Sequence, residues 1–150
     1  MIIIMLGAPG SGKGTIGKKL CDEYSLEHVA TGDIFRDEIK RGTECGIKAN
    51  EFISQGKLVP DEITIEMVLN KLKKSKNVCL DGFPRTINQA EKLDEFLNNN
   101  NDKVTAVINL SVPDEDLIKR TSSRIICPNK SCGASYNTIF LPPKVEGVCD

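Results

Sequence analysis

Gly7-Ala8-Pro9-Gly10-Ser11-Gly12-Lys13-Gly14-Thr15 follows an apolar run over 2–6 and opens a helical stretch predicted for 13–24. Strand, glycine loop, lysine and helix in that order form the context a phosphate-binding loop requires. The glycines let backbone N–H groups turn inward onto phosphate oxygens, the helix N-terminus adds its dipole, and Lys13 adds a point charge. The general pattern puts Ser or Thr directly after the lysine; here Gly14 stands there and Thr15 follows. A glycine-rich turn with a capping lysine is the plainer alternative, and strand, spacing and helix together argue against it.

Working outward, the apolar runs 2–6, 28–30, 78–80 and 104–110 read as strands. The first and last are nearly continuous in aliphatic residues, as strands covered on both faces by helices should be. Between and after them, 13–24, 33–41, 61–73, 87–98 and 114–123 read as helices. This alternation implies an α/β fold with a parallel sheet flanked by helices. Asp61 suits a helix cap, and Pro113 with Asp114 suits a helix start. Residues 31–59 hold helices without a strong strand, which suggests an inserted helical unit. From residue 125 the chain carries cysteines, turn residues and a β-prone run at 136–141, as a small metal-stapled β excursion would. Residues 98–101 read as a polar loop.

The 150 residues, 39% hydrophobic and 27% charged, suit one globular domain. A net charge of -1 gives no global field for nucleic acid or an anionic membrane, so phosphate binding must be local. The run 2–6 lacks a charged n-region and no stretch reaches the length of a membrane helix, so a cytoplasmic protein is expected. In a reducing compartment the six cysteines are not a disulfide framework. Cys21, Cys45 and Cys79 read as scattered core or surface residues, whereas Cys127, Cys132 and Cys149 form a group.

With 15 lysines against 5 arginines, ordinary positive positions are filled by lysine, and geometry is the reason for arginine where it occurs. A guanidinium grips phosphate through two parallel hydrogen bonds, which an ammonium cannot reproduce. Arg36 follows Thr31-Gly32-Asp33, Arg85 closes Asp81-Gly82-Phe83-Pro84-Arg85, and Arg120 and Arg124 are read as one face of a helix; only Arg41 lacks a motif. Surface ion pairing is the alternative for each taken alone. Asp81 ends the run 78–80, where ligands of open α/β sheets bind, and is the natural anchor for magnesium or its waters; a turn aspartate before Gly82 is the alternative. Asp33 is a second magnesium-shell candidate beside a plain N-cap role. His28, the only histidine, is given no chemistry. No general base stands out, and a monophosphate acceptor, already largely ionised, needs none.

Taken together, these motifs resemble the adenylate kinase family across essentially the whole chain. The resemblance rests on 7–15, where the Gly14-Thr15 pair is the form these kinases carry, on Thr31-Gly32-Asp33 with Arg36, on Gly56-Lys57-Leu58-Val59, on 81–86 with Gln89, and on Arg120 with Arg124. It implies a P-loop NTPase-type core over 1–29 and 60–124, a helical monophosphate-binding insertion over 30–59, and the start of a zinc-stapled β lid over 125–150. It implies reversible phosphoryl transfer from MgATP to AMP, giving two ADP, with magnesium as cofactor and a monomer as the expected form. Gly10, Ser11, Gly12, Lys13, Gly14 and Thr15 would bind ATP, joined by Arg120 and Arg124 and, from the lid, Ser135 and Tyr136. Thr31, Arg36, Lys57, Leu58, Val59, Gly82, Phe83, Pro84, Arg85 and Gln89 would hold AMP, Arg85 gripping its phosphate. Lys13, Arg85, Arg120 and Arg124 would be the catalytic cations.

The cysteine group resembles the zinc-bearing lids of bacterial members. Cys127, Cys132 and Cys149 would be zinc ligands, with a fourth at position 152, and tetrahedral thiolate zinc would close a domain too short for its own core. The chain is therefore expected to stop within the lid, and to be of little activity alone. A kinase using GTP or another monophosphate, and a non-catalytic nucleotide- and zinc-binding fragment, are the competing readings. Thr31 favours adenylate over the pyrimidine-monophosphate kinases.

Overall fold

In a computed structural model of the chain, which describes residues 1–129, 132 and 134–150, β1 (Ile2–Gly7) runs into the glycine loop and then α1 (Lys13–Tyr24). The chain continues through β2 (Glu27–Ala30), α2 (Thr31–Arg41), α3 (Glu44–Ile53), α4 (Asp61–Leu72), β3 (Val78–Asp81), α5 (Ile87–Asn99) and β4 (Ala106–Leu110). It ends with α6 (Asp114–Ser122), β5 (Arg124–Ile126) and β6 (Ser135–Asn137). The main sheet has the order β2-β3-β1-β4, and β1 and β2 each pair in parallel with β3. This is the parallel α/β sheet flanked by helices that the apolar runs predict, except that β4, expected to be covered on both faces, has no buried residue and its Val107 is 56% exposed.

The chain divides into two compact units, residues 1–6 with 13–109 and residues 7–12 with 110–150. The first has an apolar core. Ile2, Ile4, Val29, Val78 and Leu80 from the strands meet Ile65, Val68 and Leu72 of α4, Phe83, and Leu93 and Leu97 of α5. Burying each such aliphatic side chain contributes about 1.5–3 kcal/mol. Helix ends inside this unit are set locally. Gly42 ends α2 in the left-handed region at φ 66°, and the Thr43 hydroxyl caps α3 by accepting the Gly46 N–H at 3.1 Å.

Four local expectations fail at helix and strand ends. Asp61 is the first residue of α4 rather than its cap, which is Pro60; its carboxylate is drawn away to α5. Asp33 does not cap α2, which starts two residues earlier after Ala30. Arg120 and Arg124 do not share a helix face, because α6 stops at Ser122 and Arg124 begins β5. The Ser123 carbonyl there accepts the Thr138 N–H at 2.9 Å, so pairing with the next strand outcompetes another helical turn. The run 136–141 is likewise strand only to Asn137, where the side-chain oxygen collects the N–H groups of Ile139 and Phe140 at 2.9 Å each and forces a turn.

Candidate functional site

The glycine loop is shaped by close approach. Gly10 has φ 84°, and a Cβ there would lie 2.7 Å from the Thr121 hydroxyl and 3.5 Å from the Leu117 carbonyl oxygen, so only glycine fits. The Ser11 N–H closes a turn onto the Ala8 carbonyl at 3.1 Å. The Ser11 hydroxyl is buried without a hydrogen-bond partner, an unmet polar group in the loop assigned to phosphate.

In the first unit, the end of β3 and the start of α2 bring three predicted acceptor-site residues together around Gly82. The Arg85 guanidinium donates from Nε to the Gly82 carbonyl at 2.7 Å and from Nη2 to Thr31 Oγ1 at 3.4 Å. Thr31 Oγ1 lies 3.5 Å from the same carbonyl. Gly82 has φ 80°, and a Cβ on it would strike Arg85 Nη2 at 2.6 Å, so the glycine makes room for the guanidinium. Phe83 beneath is wholly buried and Pro84 half-buried. The other predicted residues have different partners. Arg36 pairs with Asp33 at the surface, Lys57 donates to Gln55 at 2.8 Å, Leu58 is 88% exposed, and Val59 is half-buried.

Gln89 belongs to a second layer. Thr86 caps α5 by accepting the Gln89 N–H at 3.2 Å, and the Gln89 Oε1 accepts the Arg85 N–H at 2.7 Å. Asp61 accepts the Thr86 hydroxyl at 2.5 Å and the Gln89 Nε2 at 2.6 Å. The Thr86 hydroxyl is the chief cause, with Gln89 and Asn88 adding to it against desolvation, of an Asp61 pKa below the usual carboxylate range. Sequence reasoning missed Asp61 as a member of this layer; the T-x-x-Q spacing of a capping box at Thr86 and Gln89 was the available signal.

Asp81 emerges from β3 with Oδ2 4.0 Å from where a Cβ on Gly14 would sit, so the carboxylate faces the first turn of α1 across space that a side chain would fill. A hard cation held by carboxylate oxygen fits there. His28 Nε2 lies 3.6 Å from Asp81 Oδ2, and the neighbouring carboxylate raises the imidazole pKa against the lowering effect of burial. The histidine given no role from sequence thus stands against the Asp81 carboxylate.

In the second unit, β5 and β6 form an antiparallel hairpin pairing Arg124 with Asn137 and Ile126 with Ser135. Arg124 Nε donates to the Ser135 hydroxyl at 2.9 Å, and the Arg120 guanidinium lies 5.9 Å from the Phe140 ring centre. The Cys127, Cys132 and Cys149 sulfurs all lie within 4.8 Å of one another, and Cys132 and Cys149 are 3.6 Å apart. Three thiols so gathered suit zinc's soft tetrahedral preference. The Tyr136 hydroxyl lies 3.4 Å from Cys149 Sγ and accepts the Asp150 N–H at 2.9 Å, so it braces the cysteine end of the unit.

A parallel sheet whose first strand turns through a glycine loop into a helix with lysine at its start defines a P-loop nucleotide-binding α/β protein. Residues 5–140 match the family described as adenylate kinase. Proteins named adenylate kinase from Caldicellulosiruptor bescii, Lachnoclostridium phytofermentans and Lachnospira eligens are 52%, 51% and 50% identical to it. Each alignment covers 100% of this chain and 70–71% of the relative. The chain belongs to the adenylate kinase family.

Proposed function

We propose that the protein catalyses reversible phosphoryl transfer from MgATP to AMP, giving two ADP. Within the family assignment, the observation that carries the acceptor side is the meeting of Arg85 and Thr31 at Gly82, two segments far apart in sequence. The Arg85 guanidinium, now resting on a backbone carbonyl and a hydroxyl, is placed to exchange those neutral partners for a charged phosphate, which it grips through two hydrogen bonds. Gly10 to Thr15 would hold the donor phosphates through backbone N–H groups and Lys13, with Arg120 and Arg124 adding charge and Ser135 and Tyr136 bordering the donor. Arg36, Lys57, Leu58, Val59, Phe83, Pro84 and Gln89 would complete the AMP site.

Aligning two anions and offsetting their repulsion is the main catalytic task, since the acceptor phosphate needs no base. Asp81, with Asp33 as the second candidate, would hold magnesium, which would offset the negative charge of the donor phosphates. The organisation we assign is core over 1–29 and 60–124, monophosphate-binding insertion over 30–59, and lid from 125, with Cys127, Cys132 and Cys149 holding a structural zinc. Among the described residues no helix is long and apolar enough to cross a membrane.

A coupled ADP-formation assay with ATP and each nucleoside monophosphate in turn tests the reading. AMP should give the highest kcat/KM. A higher value with UMP or CMP, or turnover independent of any monophosphate, would contradict it.

A further inference from the structure

The Gln89 side chain is only 5% exposed, and both ends of its amide are held by partners of fixed polarity. The Arg85 backbone N–H, which can only donate, meets Oε1 at 2.7 Å. The Asp61 carboxylate, an acceptor only when ionised, meets Nε2 at 2.6 Å. At neutral pH that carboxylate is ionised, as any ordinary aspartate is. An amide offers two N–H donors and two lone pairs. Each neighbour takes one, so one N–H and one lone pair remain, in an order that cannot be exchanged. Turning the amide over would set Oε1 against the Asp61 carboxylate and the NH2 group against the Arg85 N–H, two repulsive contacts in a half-buried place.

The donor and acceptor left on Gln89 complement the N1 acceptor and N6 donor of adenine. Hypoxanthine and guanine present the opposite order, N1–H and O6, and would require the amide turned over. We propose that Asp61 is a specificity-determining positioning residue: by holding the Gln89 amide in one polarity from outside the nucleotide-binding set, it makes the acceptor site select a 6-aminopurine over a 6-oxopurine monophosphate. This rests on the reading of Gln89 as an AMP-site residue given above. Thr86 gives the carboxylate its second bond, at 2.5 Å, which holds Asp61 in place. An asparagine at 61 could turn together with Gln89, which leaves only the Arg85 N–H to oppose the turned amide and weakens this selection.

The test is the ratio of kcat/KM for AMP to that for inosine monophosphate, which differs from AMP only along this edge of the base. It is measured for the unsubstituted protein, Asp61→Asn and Gln89→Met, with thermal midpoints confirming that the variants are folded. Asp61→Asn should lower the ratio at least about tenfold, as loss of one of two opposing contacts implies, and Gln89→Met should lower it too. A collapsed ratio in Gln89→Met with an unchanged one in Asp61→Asn overturns the role of Asp61 and leaves Gln89 as the base reader. An unchanged ratio in Gln89→Met overturns the acceptor-site reading itself. Independently of folding in either variant, NMR of the unsubstituted protein should find the Gln89 side-chain amide protons protected from solvent exchange. A strong NOE from them to the Arg85 amide proton would mean the reverse polarity and would overturn the proposal.

Discussion

Residues 78–97 and residues 110–150 stand in opposite physical situations. In the first stretch Val78, Cys79, Leu80, Phe83, Leu93 and Leu97 are at most 3% exposed, and Arg85 and Gln89 are set on that buried frame. In the second no described residue is buried, and Ile126, Ile139, Leu141, Val145 and Val148 are each more than half exposed. One region can be ordered by burying apolar surface. The other lacks that means, and it is where three cysteine sulfurs converge. The Arg85 and Gln89 side chains are thus fixed by a packed frame, whereas order in the hairpin has to come from elsewhere.

Four substitutions sharpen the contrast. Leu93→Ala removes a side chain 1% exposed and should lower unfolding free energy by about 2–5 kcal/mol in denaturant titration. Arg85→Lys keeps the charge but loses the paired hydrogen bonds, and should cost about 2–4 kcal/mol in kcat/KM for AMP by steady-state kinetics. Asp61 has a folded pKa below its unfolded one, so its contribution to stability is present above the ordinary carboxylate pKa and is lost as pH falls through the folded value. The thermal-midpoint advantage of the unsubstituted protein over Asp61→Asn should therefore shrink as pH is lowered from about 6 to about 3. Val148→Ala, at a site 57% exposed, should change unfolding free energy by no more than about 0.5 kcal/mol. A cost near that of Leu93→Ala would break the contrast.

What the sequence revealed follows the same division. Continuous apolar runs bounded by glycine, proline or polar residues located every strand of the main sheet; for β1 and β3 burial explains that plain signature, whereas β4 was found from its aliphatic run alone, since none of its residues is buried. The glycine loop, the Thr31 and Arg85 motifs and the cysteine group were legible for the same reason, each needing particular residue types at short spacing. Asp61 was not, because its partners Thr86 and Gln89 lie across a helix and a strand, and a carboxylate heading a helix looks from sequence like an ordinary first-turn acid. His28 was hidden likewise, since its neighbour Asp81 comes from another strand. Helicity was overextended to Arg124 because charged spacing alone cannot show that a hairpin will claim Ser123.

The central claim is that residues 1–6 and 13–109 are ordered by their own apolar core whereas 124–150 are ordered through metal held by Cys127, Cys132 and Cys149. Hydrogen exchange of the zinc-loaded protein, before and after removal of the metal by a chelator, tests it directly. Backbone amides of β5, β6 and Val148 to Asp150 should lose protection on metal removal, while those of β1, β3 and α5 keep theirs. Unchanged protection in the hairpin, or an equal loss in the core strands, would contradict the account.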